Sequence, residues 1–310
     1  MTRIGDTSLD VFPLCLGGNV FGWTADEGQS FAVLDAYAAA GGNFIDTADA
    51  YSAWVPGHAG GESESIIGRW MAERGNRDRM VIATKVGKLP GLAGLSAKTI
   101  RAAAEGSLRR LQTDRIDLYY AHADDAATPL EETLGAFDAL VREGKVRHIA
   151  ASNYAEARLT EALALSKRAG LPRYVALQPH YNLVHRTEYE SGLAALCVRE
   201  RLACFPYFAL ATGFLAGKYR PGAKVESSRA SSATKYLDDR GLRILAALDE
   251  IAAARTTTVA AVALAWLLTR PGVVAPIASA RTPEQLAQLL PLASLRLDRD
   301  EQRRLDDASA

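Results

Sequence analysis

The sequence lacks net charge, long apolar runs and a leader-like N-terminus. Its 36 lysines and arginines balance 36 aspartates and glutamates, so the composition indicates neither a nucleic-acid groove nor a membrane surface. No stretch reaches the roughly 18 apolar residues that a transmembrane helix needs. The opening stretch MTRIGDTSLDVF has no apolar core of the kind that signal peptides carry. We therefore expect a cytoplasmic protein that binds neither nucleic acid nor membrane.

Cysteine and several familiar catalytic motifs are scarce as well. The three cysteines, Cys15, Cys197 and Cys204, are odd in number and scattered, which favours reduced core thiols over disulfides. GGNVFG lacks the G-x-G-x-x-G spacing of an open doubly wound dinucleotide-binding sheet, and GFLAGKY is one residue short of a P-loop. H-E-x-x-H and G-x-S-x-G do not occur. The histidines have no acids or cysteines at ligand spacing, so we predict no metal site.

What the sequence does have is a series of eight apolar runs of strand length, separated by segments with helical periodicity. The runs cover residues 14–18, 43–46, 80–86, 116–122, 146–153, 175–179, 202–207 and 273–279. Near-continuous apolar strands that alternate with helices pair in parallel, and closing them into a barrel removes both sheet edges. We therefore predict an α/β fold, a (β/α)8 TIM barrel that forms one domain over residues 1–310.

Three details accompany this barrel. A hairpin at the N-terminus is predicted to cap the barrel floor, since GDTS is turn-like. Threonines 24, 128 and 282 each precede a Glu or Gln by three residues and are predicted to cap helices. The loops at residues 52–62 and 211–239, after strands 2 and 7, are longer than packing requires and are predicted to be functional lids.

Polar residues recur where the predicted strands end, and in a barrel these ends meet on one rim. They are Asp46, Lys85, His122, Ser152, Asn153, Gln178, Tyr207, Ser279 and nearby Arg281. Each residue alone also fits a structural role, such as a helix cap or a hydrogen-bonded core histidine. Their concentration on one rim instead predicts an active site there.

The motifs DTADAY, ATKVG and YYAH, together with LGGN, LQPHYNL and PIASARTPEQL, resemble the aldo-keto reductase family over nearly the whole chain. The run DTADAYSAWVPGHAGGESE is similar to bacterial members of its aryl-alcohol-dehydrogenase-like branch. The resemblance implies a catalytic tetrad of Asp46, Tyr51, Lys85 and His122. It also implies an NADP-dependent enzyme that reduces aldehydes or ketones to alcohols.

The chemistry of the tetrad can be argued from its residue types. Tyrosine, with a pKa of about 10, is too weak an acid at neutral pH by about 4 kcal/mol. A cation about 4 Å away at an effective dielectric near 20 supplies roughly that amount, so we expect Lys85 to lower the pKa of Tyr51. Asp46 keeps a buried Lys85 charged, and His122 orients the carbonyl. The nearby Asp49 is interpreted as a turn residue.

None of these side chains can store a hydride, so a nicotinamide cofactor is required. The resemblance implies NADPH rather than NADH, with Tyr207 stacking under the nicotinamide and Arg281 binding the 2′-phosphate. The cofactor contacts so implied are Gly18, Asn19, Asp46, Ser152, Asn153, Gln178, Tyr207, Phe208, Ala209, Leu210, Thr212, Gly213, Lys218, Ser279, Arg281, Gln285 and Gln288. The sequence departs from the family's usual residues at Gln288, at Leu289 and at the pair Phe208 and Ala209.

The substrate is predicted to be a small apolar or aromatic carbonyl compound, because Trp23, Trp54, His122 and Phe214 are expected to line its pocket. The chain ends soon after RDEQRRLDDAS, so we expect no extended C-terminal substrate loop and a rather open pocket. Two other functions stay open. One is a cofactor-sensing subunit like the β subunits of potassium channels, and the other is a barrel isomerase or lyase acting on sugar phosphates. Monomer and homo-oligomer are both compatible with the sequence.

Overall fold

The barrel strands and two small hairpins account for all the strands in the described part of the chain. The computed structural model describes residues 1–223, 225 and 230–310. The strands in chain order are β1 (Thr2–Arg3), β2 (Asp10–Val11), β3 (Cys15–Gly17), β4 (Phe44–Asp46), β5 (Val81–Val86), β6 (Lys88–Leu89), β7 (Leu92–Ala93), β8 (Ile116–Ala121), β9 (Val146–Ser152), β10 (Tyr174–Gln178), β11 (Ala203–Cys204) and β12 (Ile277–Ala278).

Eight of these strands form the predicted barrel, one in each apolar run. They pair in parallel in the order β3-β4-β5-β8-β9-β10-β11, and β12 pairs with β3 on the other side. A parallel bridge between Cys204 and Val273 closes the ring, with the Val274 amide donating to the Cys204 carbonyl at 3.0 Å. Every residue of β5 and β8 is buried, which explains why these runs are apolar throughout rather than alternating. The (β/α)8 barrel is confirmed.

The N-terminal hairpin covers one end of the barrel, as predicted. Strands β1 and β2 pair antiparallel, with Thr2 opposite Val11. Ile4, Leu9 and Val11 are buried in the same apolar cluster as barrel residues such as Phe44. The hairpin therefore closes the interior at the end opposite to the strands' carboxyl ends.

Helices surround the barrel and bury a second apolar cluster against its outer face. They are α1 (Glu27–Ala39), α2 (Glu62–Arg74), α3 (Ala97–Leu111), α4 (Leu130–Arg142), α5 (Glu156–Ala169), α6 (Ala194–Arg199), α7 (Ala230–Thr234), α8 (Asp239–Ala254), α9 (Val259–Leu268), α10 (Pro283–Ala287) and α11 (Arg299–Ala308). Short 3-10 or π turns occupy Arg77–Arg79, Tyr189–Leu193, Ala211–Ala216 and Leu290–Ala293.

One of the three predicted caps is confirmed. Thr282 caps α10 and accepts a hydrogen bond from the Gln285 amide. Helix α1 is capped by Asp26 instead of Thr24, through a reciprocal capping box with Gln29. At α4 the cap position falls on Pro129, while the Thr128 hydroxyl donates to Asp125 at 2.7 Å. In α1, Asp26 accepts the backbone hydrogen bond that was predicted for Thr24. Before α4, the Thr128 hydroxyl is engaged as a donor to Asp125.

The sequence analysis missed the small hairpin formed by β6 and β7. Lys88 pairs with Ala93 and Leu89 with Leu92. Pro90 and Gly91 connect the two strands, and the φ of 79° at Gly91 fits the second central position of a type II turn. The hairpin extends β5 beyond the rim of the barrel.

Both predicted long loops are present, although residues 224 and 226–229 of the second lie outside the described residues. The first consists of turns that run to the start of α2, and the second contains the 3-10 turn Ala211–Ala216 and helix α7. Among the residues described here, no single helix has the length and hydropathy to span a membrane. Helices α8 and α9 meet those requirements only jointly, across a bend of 100°.

Candidate active site

A cavity of about 410 Å³ opens at the carboxyl ends of the barrel strands. It is lined by Gly17, Asn19, Asp46, Tyr51, Trp54, Lys88, His122, Ser152, Asn153, Gln178, Tyr207, Phe208, Ala209, Leu210, Thr212, Gly213, Ile277, Ala278 and Ser279. Fifteen residue positions that the sequence predicted for catalysis, cofactor or substrate lie in this lining. Gly17, Lys88, Ile277 and Ala278 line the cavity as well and were not predicted.

Lys85 lies beneath the cavity with no solvent exposure. Its Nζ donates to Asp46 Oδ2 at 2.6 Å, to the Thr47 carbonyl at 2.8 Å and to the Tyr51 hydroxyl at 2.9 Å. An ammonium group has three protons, so all of its donors are used. Lys85 is therefore fixed between the carboxylate and the phenol.

Asp46 is held as firmly as Lys85. Its second oxygen, Oδ1, accepts from the Gln178 side-chain amide at 2.9 Å. The Tyr51 hydroxyl is 3.4 Å from Oδ2, which is long for an O–H donor. Because only one of its two side-chain N–H groups donates to Asp46, Gln178 keeps one N–H and its carbonyl for a ligand.

The charge state of Lys85 follows the prediction. Burial alone would lower its pKa, but the Asp46 carboxylate and Tyr51 more than compensate, so the pKa lies above its ordinary value. The lysine is charged at neutral pH. This agrees with the role predicted for Asp46, which is to keep a buried cation protonated.

The prediction that Lys85 brings Tyr51 toward neutral titration is corrected. Burial of the phenol raises the pKa of Tyr51 to about 12, although the nearby Lys85 charge opposes the rise, and Asp46 raises it further. The sequence shows the cation but not the loss of water around the phenol or the carboxylate beside it. In this state Tyr51 holds its proton throughout the neutral range.

His122 is neutral and has a free ring nitrogen. Burial lowers its pKa well below the ordinary value, and the charges of Lys85 and Lys88 lower it further. Its Nδ1 is buried, with no hydrogen-bond partner among the described residues. The backbone is fixed, because the His122 amide donates to Val86 and its carbonyl accepts from Asn153 at 2.8 Å. A neutral imidazole in this position can donate one hydrogen bond to a ligand.

Ser152, Asn153 and Tyr207 form one connected polar group on the opposite wall. The Tyr207 hydroxyl donates to Asn153 Oδ1 at 2.8 Å, and the Asn153 amide donates to Ser152 Oγ at 3.0 Å. Neither Ser152 nor Asn153 caps helix α5, because the cap position falls on Ala155. Asn153 instead has a left-handed backbone with a φ of 56°, a conformation that often marks functional sites.

A second cavity, of about 370 Å³, continues from the first. The two share Leu210, Thr212, Gly213 and Ser279 in their linings. The remaining lining of the second cavity is Val20, Thr24, Ala216, Lys218, Ala260, Arg281, Gln285, Gln288 and Leu289. With the exception of Gly18, the predicted cofactor residues are thus distributed along a single trough that runs from the tetrad to Arg281. Within it, Ser279 Oγ donates to Asn19 Oδ1 at 2.6 Å, which joins the first and last strands of the barrel.

Three predicted ligand contacts are corrected. Gly18 lines neither cavity: its amide donates to the Asp46 carbonyl at 2.7 Å, and its own carbonyl accepts from Ser63. Phe214 is fully buried and packs against the Tyr236 ring at 5.6 Å, so it belongs to the core. Trp23 lies behind Trp54, edge to face at 5.5 Å, and lines a separate cavity. Trp54 itself is 50% exposed and lines the active-site cavity as predicted.

Asp49 is unexpectedly buried. It has no solvent exposure, and neither carboxylate oxygen has a hydrogen-bond partner in the described structure. Burial raises its pKa to about 7, and the Glu64 charge raises it while Arg110 opposes the rise. Its backbone amide donates to the Lys85 carbonyl at 3.3 Å. The interpretation of Asp49 as a turn residue therefore misses a buried, unpaired acid directly behind the tetrad.

No group of three or more potential metal ligands occurs within the described residues. The rings of His180 and His185 stack on each other, with their centroids 3.8 Å apart. His180 in turn stacks on Tyr207 at 5.3 Å, so this pair forms the back of the Tyr207 platform.

Comparisons with known proteins show the family to which this chain is similar. A family model described as the aldo/keto reductase family matches residues 13–310. The uncharacterized oxidoreductase YrpG of Bacillus subtilis (strain 168) is 36% identical over 99% of this chain and 94% of its own length. An aryl-alcohol dehydrogenase of Pestalotiopsis microspora is 30% identical over 94% of this chain and 77% of its own. A probable voltage-gated potassium channel subunit beta of Oryza sativa subsp. japonica is 33% identical over 92% and 88%.

Proposed function

The chain belongs to the aldo/keto reductase family, and on that premise we propose that it reduces aldehydes or ketones to alcohols with NADPH and with Tyr51 as proton donor. The family and its oxidoreductase relatives make it an NADP-dependent oxidoreductase acting on carbonyl or alcohol groups. The observation that supports the finer proposal best is the trough that joins the tetrad to Arg281. Two connected cavities of about 410 and 370 Å³ suit an extended dinucleotide, with the reacting end beside Tyr51.

The side chains along the trough fit the parts of such a cofactor. Ser152, Asn153 and the Gln178 carbonyl offer the mixed donors and acceptors that a carboxamide needs, and Tyr207 offers a ring face. Lys218 and Arg281, at the far end, offer cations for phosphate groups. NADPH, when bound, supplies the hydride that the carbonyl carbon accepts.

The proton has a defined route in this proposal. Negative charge develops on the substrate oxygen, and the Tyr51 hydroxyl gives its proton to that oxygen. The resulting phenolate is stabilised by the Lys85 ammonium, 2.9 Å away. Asp46 keeps Lys85 charged during the transfer, and His122 holds the substrate oxygen by a hydrogen bond from its neutral ring. A high pKa suits this role, because Tyr51 must still hold its proton when the substrate arrives.

The substrate end supports aromatic or apolar carbonyl compounds, in keeping with the aryl-alcohol-dehydrogenase-like branch. Trp54 presents an exposed ring beside Tyr51, with centroids 6.1 Å apart. A flat substrate can lie against this ring with its carbonyl toward Tyr51 and His122. Aromatic faces of this kind contribute both contact area and orientation.

Replacing Tyr51 by phenylalanine tests the proposal. General acid catalysis is worth about 10²–10⁴-fold, so Tyr51→Phe should lower kcat for a panel of aliphatic, aromatic and sugar aldehydes by about that factor. NADPH binding, followed by its fluorescence, should change little. Tyr154→Phe is the matched control, because that hydroxyl contacts Tyr174 inside the core. Substantial carbonyl reduction by Tyr51→Phe would overturn the mechanism.

The similarity to a potassium channel β subunit supports a second candidate, a cofactor-sensing subunit with little turnover. It predicts tight NADPH binding together with slow reduction of every aldehyde in the same panel. Both candidates therefore predict NADPH binding, and only the reductase predicts rapid reduction of aldehydes.

A further inference from the structure

Lys88 is the one lysine that lines the active-site cavity in the described structure, and neither the tetrad nor the cofactor contacts use it. It opens β6, two residues beyond Val86 at the end of β5. Gly87 makes the turn between them with a φ of 115°, a conformation that side-chain-bearing residues rarely adopt. Lys88 lines the cavity that contains Tyr51, Trp54 and His122, and it is absent from the cofactor-end cavity. It therefore belongs to the substrate end.

The hairpin that carries Lys88 is anchored against the first long loop. Leu89 packs onto Gly60, where a Cβ would lie 2.5 Å from Leu89 Cδ1. Across the hairpin, Lys88 pairs with Ala93. The loop with Trp54 and the hairpin with Lys88 thus form two adjoining walls at the mouth of the cavity.

The charges at this end leave Lys88 without a counter-ion. Within the described part of the chain, no carboxylate lies within ion-pair distance of its Nζ. Asp46, the carboxylate in the cavity lining, has both oxygens engaged by Lys85 and Gln178. His122 is neutral, so the substrate end carries uncompensated positive charge. An anion is the ligand group that complements it.

The surroundings of Lys88 strengthen this complementarity. Removal of water lowers its pKa, and the charge of Lys85 lowers it further, so a counter-ion at this position relieves both effects. Lys88 itself is exposed, so a pair that it forms stays partly solvated and contributes less than a fully buried pair would.

We propose that Lys88 forms an anion subsite, so that the preferred substrates are aromatic aldehydes carrying a carboxylate on the side of the ring away from the carbonyl. This inference rests on the proposed carbonyl reductase function and assigns its substrate class. The carbonyl lies at Tyr51 and His122, the ring lies on Trp54, and the carboxylate reaches Lys88. Lys88 acts in binding and selectivity and takes no part in proton transfer.

A pair of substrates with the same frame isolates this role. 4-Carboxybenzaldehyde and methyl 4-formylbenzoate differ in charge, and both are reducible aldehydes. Ion pairs with a solvent-exposed lysine contribute up to about 1 kcal/mol, so the wild type should favour the carboxylate by up to about fivefold in kcat/KM. In Lys88→Gln that preference should vanish, through a higher KM for the carboxylate with kcat little changed. Lys88→Arg should retain most of it.

The controls separate the possible failures. Lys167→Gln, an exposed lysine on α5, should leave the preference unchanged. If the wild type reduces both aldehydes equally well, or if Lys88→Gln raises both KM values alike, the subsite is wrong while the reductase function stands. If the wild type reduces neither aldehyde nor any other carbonyl, the underlying function fails and the subsite fails with it.

Discussion

Asp46 shows how much one side chain organises at the residue scale. One of its oxygens holds Lys85 and the other holds Gln178, which lies 132 positions later in the chain. Asp46 and Lys85 were identified because each lies at the end of a strand, and Tyr51 was identified through the resemblance of its motif to the aldo-keto reductase family. It did not predict the pKa of Tyr51, because the loss of water around a side chain depends on residues far away in sequence.

Phe214, Lys88 and Asp49 illustrate the same limit. From sequence alone, an apolar residue in a loop next to a site can line the pocket or belong to the core. The contact between Phe214 and Tyr236 places Phe214 in the core. Lys88 stands in a run with no catalytic motif. Asp49 has turn-like neighbours in sequence but is fully buried. For all three, the missing information is the tertiary position of the side chain.

Asp49 gives a stability prediction. Its pKa is about 7 in the folded protein and about 3.9 in an unfolded chain, so the folded state binds the proton more tightly. The contribution of Asp49 to stability is therefore greatest below about pH 4 and is lost as the pH rises to about 7. Asp49→Asn removes this titration. The variant should gain stability over the wild type between pH 5 and pH 8, by an amount on the order of 1–4 kcal/mol.

Urea unfolding at the two pH values measures this difference. Asp307→Asn, at an exposed position on α11, should follow the wild type at both. If Asp49→Asn and the wild type showed the same pH dependence, Asp49 would be ionised or hydrogen-bonded in the folded protein, contrary to its described environment.

At the scale of elements, the long apolar strands were predictable and the short irregular pieces were not. Six-residue strands such as β5 give a clear pattern, whereas β6 and β7 have two residues each. The Pro90–Gly91 pair is a recognised type II turn signal and is the feature that points to this hairpin. The predicted start of a helix was wrong where an aspartate near the predicted threonine, such as Asp26, caps the helix instead.

Helix α10 begins directly after Arg281 and Thr282, beside the predicted 2′-phosphate position. It has only five residues, so its dipole contributes little to the binding of a phosphate there. The Arg281 side chain, which lines the second cavity, must then supply most of the attraction for a 2′-phosphate. Thr282 and Gln285 hold the backbone at this point, since the Arg281 amide donates to Gln285 Oε1 at 3.0 Å.

Arg281→Ala should accordingly weaken NADPH binding by about tenfold or more and leave NADH binding nearly unchanged. Fluorescence titration of both nucleotides measures the two dissociation constants. Arg299→Ala, an exposed arginine at the start of α11, should alter neither. If Arg281→Ala weakened the binding of NADPH and of NADH equally, Arg281 would not bind the 2′-phosphate.

At the scale of the whole molecule, closure of the barrel assembles the trough. The hydrogen bond from Ser279 to Asn19 joins residues 260 positions apart, and it lies where the two cavities meet. The barrel itself could be predicted from eight apolar runs. The continuity of the trough could not, because it depends on the path of the residues after β11, where several left-handed residues such as Thr212 bend the chain.

Single-turnover reduction tests the central claim most directly. Enzyme mixed with one equivalent of NADPH per site is combined rapidly with excess benzaldehyde, which does not depend on Lys88, and NADPH absorbance and benzyl alcohol are both followed. The account predicts one NADPH consumed and one alcohol formed per site by the wild type, and the same reaction about 10²–10⁴-fold more slowly by Tyr51→Phe, although both proteins bind the nucleotide equally. Bound NADPH that persists in the wild type with no alcohol formed, or equal turnover by the two proteins, would contradict it.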